Sequence, residues 1–514
     1  MLLKSSMSRV DPIAVLAVVA VAQFMVILDA SIVNLALPTI KRVVGISDEN
    51  LSWILNAYTL MFGGFLLLGG RLADRFGRRR LLMVGVALFS GASVLCGVAH
   101  SQAELIVGRG LQGLGGALVS PAALAIILTT FAEGHERDRA LAVWAAVAGA
   151  GGAVGMLGGG ILVQELGWRS VFFVNVPIGL AMLALAPRIV PESRSEAVSK
   201  SRLDIEGAVV ITLGTISLVY TLTNAGNWGF TSAPTIGGLI GSLLLIALFI
   251  AIERRHEDPL VPLRIFSNRK LSVGGTSLLV VAAALFGIFF FVTLYLQQVL
   301  GFDPFQTGLA FLPLSVTIIA ASAAASRLVD RFRPKPVLIA GLLITICGFV
   351  LLAALPSHGD YAVDLVPAMI LLGVGPGISF VPIMIAGTSG VRPGDGGLAS
   401  GLLNTMQQVG GALGLAVLST IAADRTANAL HRGLSQPEAL TFGFQGAFIV
   451  SAALCAVGAV IVIALLPRRK LEYPHEHVKA VTLSFARFPS APLWGHHAGL
   501  VGLGRRLRQS FARP

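Results

Sequence analysis

Residues 70–80 read Gly70-Arg71-Leu72-Ala73-Asp74-Arg75-Phe76-Gly77-Arg78-Arg79-Arg80, five arginines and one aspartate set between two long apolar runs. A near copy, Ser326-Arg327-Leu328-Val329-Asp330-Arg331-Phe332-Arg333-Pro334-Lys335, returns between apolar runs about halfway along the chain. Neither segment is long enough to be a domain. Two charged hinges at matching places in two hydrophobic halves predict a membrane transporter built from repeated helical bundles. Setting membrane topology accounts for most of the arginines. It does not account for an aspartate that recurs at Asp330. Asp74 is therefore expected to pair with a nearby arginine or to cap a helix N-terminus, and to let go during a conformational switch.

Composition agrees with a membrane protein. Of 514 residues, 55% are apolar and 12% charged, with a mean hydropathy of +0.82; a soluble domain carries roughly 25% charged residues. The 59 glycines suit helices packed closely in lipid. A net charge of +12 raises the question of nucleic acid, but the cations lie in short loops on one side of the apolar runs, which sets topology and gives no nucleic-acid face. Cys96, Cys347 and Cys455 sit singly inside apolar runs without metal-ligand spacing, so they read as small core residues and no metal is expected. No Walker lysine motif is present, and the first apolar run is too long for a cleavable signal.

Fourteen apolar spans are predicted, within 12–38, 51–69, 81–99, 103–131, 140–163, 171–187, 205–223, 234–252, 271–299, 305–326, 336–355, 363–390, 396–422 and 443–466. With the N-terminus in the cytoplasm, 32 Lys and Arg fall inside and five outside (Lys41, Arg42, Arg169, Arg425, Arg432), with Arg109 embedded. That bias predicts a multi-pass protein of the inner or plasma membrane with both termini cytoplasmic. The two Asp-Arg-Phe hinges are 256 residues apart, from 74 to 330. A six-helix half needs only about 200 residues, so two further helices must lie between the halves. The predicted fold class is all-α integral membrane, with a six-helix bundle in 1–200, two inserted helices in 201–265, a second bundle in 266–470 and a disordered basic tail in 471–514.

Residues 70–80 match completely the G-x-L-A-D-R-x-G-R-R signature between helices 2 and 3 of the major facilitator superfamily, and the second copy is a degenerate form with Ser326 and Arg333 for the two glycines. Three further segments are similar to motifs of the fourteen-helix drug:proton antiporter branch. The first, Leu28-Asp29-Ala30-Ser31-Ile32-Val33-Asn34-Leu35-Ala36-Leu37-Pro38, resembles that branch's first-helix motif. A charge at a helix centre costs on the order of 2.5–3.5 kcal/mol on insertion scales, so Asp29 needs a reason. One reason is a partner for an embedded arginine. Another is a carboxylate in a poorly solvated cavity that alternates between a proton and a cationic substrate. The second, Gly108-Arg109-Gly110-Leu111-Gln112-Gly113-Leu114-Gly115-Gly116-Ala117, is similar to R-x-x-Q-G-x-G-x-A. Arg109 and Gln112 share a helix face. Arginine keeps its proton, so Arg109 can bias a carboxylate or clamp backbone carbonyls but cannot carry the proton itself.

The third segment, Ala148 to Gly160, resembles the antiporter motif G-P-x-x-G-G, with Gly151, Gly155, Gly159 and Gly160 forming a smooth helix surface and Met156 where the proline belongs. The missing proline leaves the direction of coupling open. The stretch from Gly167 to Gly179 resembles the start of helix 6, with Trp168 suited to the outer interface, and is read as architecture. Gly375-Pro376-Gly377 and Pro382 can unwind a helix, and Asn34, Asn404, Gln407 and Gln408 are candidates for a polar cavity lining, with interhelical hydrogen bonding the alternative for the last three.

The resemblance covers roughly residues 10–466. It implies a secondary transporter with no cofactor, driven by a proton gradient through Asp29, Arg109 and Gln112. Gly70, Asp74, Arg75, Gly77, Arg78, Asp330 and Arg331 would form its conformational switch. Its expected partners are a small-molecule substrate, protons and the lipid bilayer, and it is expected to be a monomer. Export of lipophilic, often cationic, drugs is the branch's commonest activity. Export of an endogenous metabolite or lipid, and proton-coupled uptake, stay open. A membrane enzyme is disfavoured because the longest inner loops are about 18 residues.

Overall fold

The computed structural model describes residues 11–132, 135–194, 204–229, 231–388 and 396–466. The predicted tail 471–514 lies outside them. Among the described residues the chain is helical, with no strand. Fourteen long helices follow one another: α1 (Pro12–Val44), α2 (Trp53–Phe76), α3 (Arg78–Val98), α4 (Gln102–Thr130), α5 (His135–Leu166), α6 (Ser170–Ile189, interrupted at Val174), α7 (Ile205–Trp228), α8 (Ala233–Arg255), α9 (Arg269–Val299), α10 (Pro304–Phe332, interrupted at Phe311), α11 (Pro334–Ala353), α12 (Tyr361–Thr388), α13 (Gly396–His431) and α14 (Gln436–Leu465). Thirteen of the helices contain a described stretch long and apolar enough to cross a membrane; in the remaining one, α5, the described apolar stretch is Val154–Leu166.

Local chemistry fixes the ends. Asp11 caps α1 by accepting from Ile13 N at 2.9 Å, and Gly45 ends it at φ +76° with its N–H returning to Lys41 O. Capping boxes open α10 (Asp303 with Gln306) and α14 (Ser435 with Glu438). α12 contains Pro376 and Pro382 yet stays helical from Val366 to Thr388, without the unwinding these residues allow. Ser379 Oγ donates to Gly375 O at 2.8 Å, and Ser322 Oγ of α10 donates to Gly377 O at 3.4 Å.

The pairing of helices shows the repeat directly. In the first half α2 packs on α4, α3 on α4 and α6, and α1 on α4, α5 and α6. In the second half α10 packs on α12, α11 on α12 and α14, and α9 on α12, α13 and α14. Each is the same graph of six helices. The inserted pair stands outside it: α8 packs on α7, and α7 lies across the seam between α2 and α13. Thr420 Oγ1 of α13 donates to Leu222 O and Thr223 O of α7, at 3.1 and 3.2 Å.

The halves meet along α2 with α13 and along α5 with α10. On the face that carries residues 70–80 and 326–335, here called the hinge face, they part. On the opposite face they close. There Gly160 of α5 meets the backbone of Pro304 and Phe305, Gly308 of α10 meets the backbone of Met156, and Gln297 Nε2 donates to Leu35 O at 3.2 Å. Trp168, expected at the membrane interface, is buried against the edge of Phe172 with Arg169 stacked on it.

Candidate functional site

Asp29 lies halfway along α1 and is 0% exposed; Arg109 of α4 is 1% exposed. Arg109 Nη1 donates to Asp29 Oδ2 and, at 2.8 Å, to Gln112 Oε1, while Arg109 Nε donates to Ile54 O at 3.0 Å. Asp29 Oδ1 accepts from Gln112 Nε2 at 3.0 Å and from Asn175 Nδ2 at 2.9 Å. Gln112 Nε2 also donates to Ser93 Oγ at 2.7 Å, and the Arg109 guanidinium stacks on Tyr58, 4.4 Å from the ring centroid. Two buried opposite charges are tolerated in lipid only when paired and fully hydrogen-bonded, and both carboxylate oxygens here are.

The structure thus brings Asp29, Arg109 and Gln112 together, and adds three partners that the sequence reading missed. Asn175 was read as architecture, and Ser93 and Tyr58 were not singled out. Asn175 carried the same signal as Asp29, a strongly polar side chain inside an apolar run. Its fellow Asn34 is buried, with Nδ2 donating to Ala30 O at 3.0 Å, and does not line the cavity described below.

Glycines at close approaches hold α1 between this network and α5. A side chain at Gly155 would run into Ser31, one at Gly159 into Ile32 and Leu35, and one at Gly151 into Ile27. Ser31 Oγ lies 3.4 Å from Gly151 O. α5 continues unbroken through the buried Met156. One face of α1 therefore carries Asp29 and the other is seated in the α5 glycine track, whose far end, Gly160, closes on α10.

A cavity of about 1560 Å³ opens between the halves on the hinge face. Gln23 of α1, Arg71 and Asp74 of α2, Trp144 of α5 and Asn404 and Gln407 of α13 are in its wall. Gln408 is not in that wall; its stem packs on Gly63 at the α2–α13 seam.

The hinge itself is a set of clamps. Arg78 donates to Asp74 Oδ1 through Nε at 2.9 Å and Nη2 at 2.6 Å. Arg79 Nη1 donates to Pro187 O and Val190 O at the end of α6, at 3.3 and 3.2 Å, and Arg78 N to Ser193 O at 3.0 Å. Gly77 adopts φ +112°, and a side chain there would strike the Glu192 carboxylate. The second hinge repeats the plan: Lys335 Nζ donates to Ile463 O and Leu466 O at the end of α14, at 2.8 and 2.6 Å. Arg75 lies over Phe76 and Arg331 over Phe332 at 5.5 and 5.3 Å. Arg333 holds Gly77's place with φ +69°, the one positive φ outside glycine among the described residues. The Asp330 side chain lies outside the described residues. Gly70 sits against Pro121 of α4 at the cavity wall.

Two six-helix repeats around a cavity open to one face define a secondary transporter of the membrane. The chain belongs to the major facilitator superfamily: the model of that family matches residues 19–415. It is 41% identical over 458 residues to the puromycin resistance protein pur8 of Streptomyces alboniger, covering 88% of this chain and 90% of that one. It is 38% identical over 407 residues to the cephamycin export protein CmcT of Amycolatopsis lactamdurans, covering 79% and 84%. With the tetracenomycin C resistance and export protein of Streptomyces glaucescens it shares 36% identity over 465 residues, covering 90% and 85%. Among solved structures it shares its fold with a bacterial homologue of the human lysosomal transporter Spinster (TM-score 0.63, 17% identity, 93% of this chain and 99% of that one) and with a D-xylose–proton symporter (TM-score 0.63, 15% identity, 90% and 99%).

Proposed function

We propose that this chain exports lipophilic small molecules in exchange for protons, working as a monomer by alternating access, with the hinge face and both termini in the cytoplasm. One observation carries the coupling: a fully buried carboxylate, Asp29, is held by Arg109, Gln112 and Asn175 on the helix that also seats α5. Protonating Asp29 cancels its attraction to Arg109, whose charge is permanent, and removes one acceptor site from Oδ1 or Oδ2. α1 is then free to shift against α4 and α6. Because Gly151, Gly155 and Gly159 press on the other side of α1, the shift reaches α5 and its closure on α10. The Asp74–Arg78 clamp, made in this conformer, lets go as the cavity changes sides, while the Arg79 and Lys335 anchors keep the ends of α6 and α14 attached within each half.

The drug class rests on the relatives named for puromycin, cephamycin and tetracenomycin C, and on a cavity wall that mixes Leu66, Leu67, Trp144 and Phe380 with Asn404 and Gln407. Such a wall suits an amphipathic organic molecule. The test is a susceptibility panel of those three antibiotics and lipophilic cationic dyes, in a host with and without the protein. A rise in tolerance to at least one, lost in Asp29→Asn at equal membrane abundance, is expected. No protection together with faster accumulation of the compound would instead mean uptake, the alternative that the unbroken α5 helix at Met156 favours.

A further inference from the structure

The inserted helices bury two carboxyl groups that the coupling network does not use. Asp204 caps α7 and is 1% exposed; Glu253 ends α8 and is 3% exposed. Asp204 Oδ1 accepts from Gly207 N at 2.7 Å. Its Oδ2 is sealed from solvent and meets no donor. α8 packs on α7, and the Glu253 carboxyl faces the Asp204 carboxyl within hydrogen-bonding reach. Both Glu253 oxygens are accepting from Val261 N, at 3.2 and 3.1 Å.

Two carboxylates facing each other in a buried site cannot both be ionised, because the repulsion has no water to screen it. A protonated carboxyl removes the repulsion and supplies the missing donor in one step. Arg71 of the first hinge also acts on Glu253 and reaches the same place, donating to Asp258 O at 2.8 Å and to Pro259 O. The residues charged or titratable on the connecting segment are His256, Glu257, Asp258 and Arg264, and those beside Glu253 at the end of α8 are Arg254 and Arg255; all but Arg255 are in the cavity wall, and His256 Nδ1 accepts from Asp258 N.

We infer that Asp204 and Glu253 form a second proton-binding site, separate from Asp29, which pins the α8–α9 connection to α7 and to Arg71 at the mouth of the cavity. Loss of that proton sets two buried charges against each other. The connection then lifts from α7, and the Arg71 grip on Asp258 and Pro259 loosens. The site exists whether or not the chain exports drugs, so its test is independent of transport.

Infrared difference spectroscopy on the full chain in lipid nanodiscs reads protonated carboxyl groups by their C=O stretch. A band present at neutral pH in the wild type and in Asp29→Asn is expected to vanish in Glu253→Gln. It is also expected to vanish in Asp204→Asn, whose amide can itself donate to the Glu253 carboxylate. Size-exclusion profiles matching the wild type show that each variant is folded. A band that survives Glu253→Gln undiminished overturns the proposal, as does one that disappears only with Asp29→Asn. A spin-label pair on the α8–α9 connection and α7 gives a second reading. The two labels are expected to move apart as the pH is raised in the wild type and to stay put in Glu253→Gln. Equal movement in both overturns the proposal.

Discussion

In the first half, α1 carries Asp29 into a buried knot with Arg109, Gln112 and Asn175. In the second half, α9 runs past the matching three neighbours and buries only apolar side chains and hydroxyls such as Ser277 and Thr293. No charged side chain is buried between 266 and 466 among the described residues. The skeleton, by contrast, repeats in detail. Gly155 of α5 presses on α1 as Gly414 of α13 presses on α9, and a cation after each hinge anchors the end of the sixth helix. Packing constraints are the same in both halves because six helices must close around the same small-residue contacts. Among the described residues the two halves differ in buried charge: the first holds Asp29 and Arg109, while the second supplies polar cavity residues, Asn404 and Gln407.

The comparison breaks most visibly at the ion pair. Asp29→Leu should lower unfolding stability by about 3–5 kcal/mol, since it strands a buried guanidinium. The double variant Asp29→Leu/Arg109→Leu should recover most of that loss, by thermal unfolding in detergent, without recovering gradient-driven transport. A double variant no more stable than the single one would show that the two residues do not act as a pair. In the second half, Ser277→Ala should change stability by about 0.5 kcal/mol or less, because its hydroxyl has no partner to lose.

The glycine contacts should respond alike in the two halves. Gly155→Val and Gly414→Val are each expected to cost about 1–3 kcal/mol by overpacking. Gly414 should cost more, because it meets the Ala283 backbone whereas Gly155 meets the Ser31 side chain. The hinges differ in sign. Arg333→Gly should stabilise by about 1 kcal/mol by relieving a backbone region nearly restricted to glycine, and Gly77→Arg should destabilise by at least that much. Smallest are the anchors: Arg79→Ala and Lys335→Ala should each cost about 0.3–1 kcal/mol, the worth of a cation at a helix C-terminus. Unequal losses there would mean that the halves are not held in the same way.

Much of this was readable from residues. The spacing of Asp74 and Asp330 calls for two further helices between the halves; in the fold α1–α6 and α9–α14 pair alike, with α7 and α8 between them in the chain. Asp29, Arg109 and Gln112 stood out because each is expensive in an apolar run. Asn175 carried the same signal but lay beside a tryptophan and a proline that suggested architecture. Glu253 was hidden for another reason: at a helix end beside Arg254 and Arg255 it looks like an ordinary loop charge, and only the fold turns it toward Asp204. Asn34 and Gln408 are set apart from Asn404 and Gln407 by their neighbours, the Ala30 carbonyl and the Gly63 contact on α2, which one sequence does not specify. Pro376 and Pro382 stay within a continuous helix, so a proline in an apolar run did not by itself mark a break.

The most direct test of coupling through Asp29 is transport in proteoliposomes with an imposed pH difference and no substrate gradient. A fluorescent lipophilic cation should be carried toward the acidic compartment by the wild type, and reversing the pH difference should reverse the flux. In Asp29→Asn the flux should be absent while exchange of labelled for unlabelled substrate persists. Wild-type flux that ignores the pH difference, or Asp29→Asn flux that still follows it, would contradict the account.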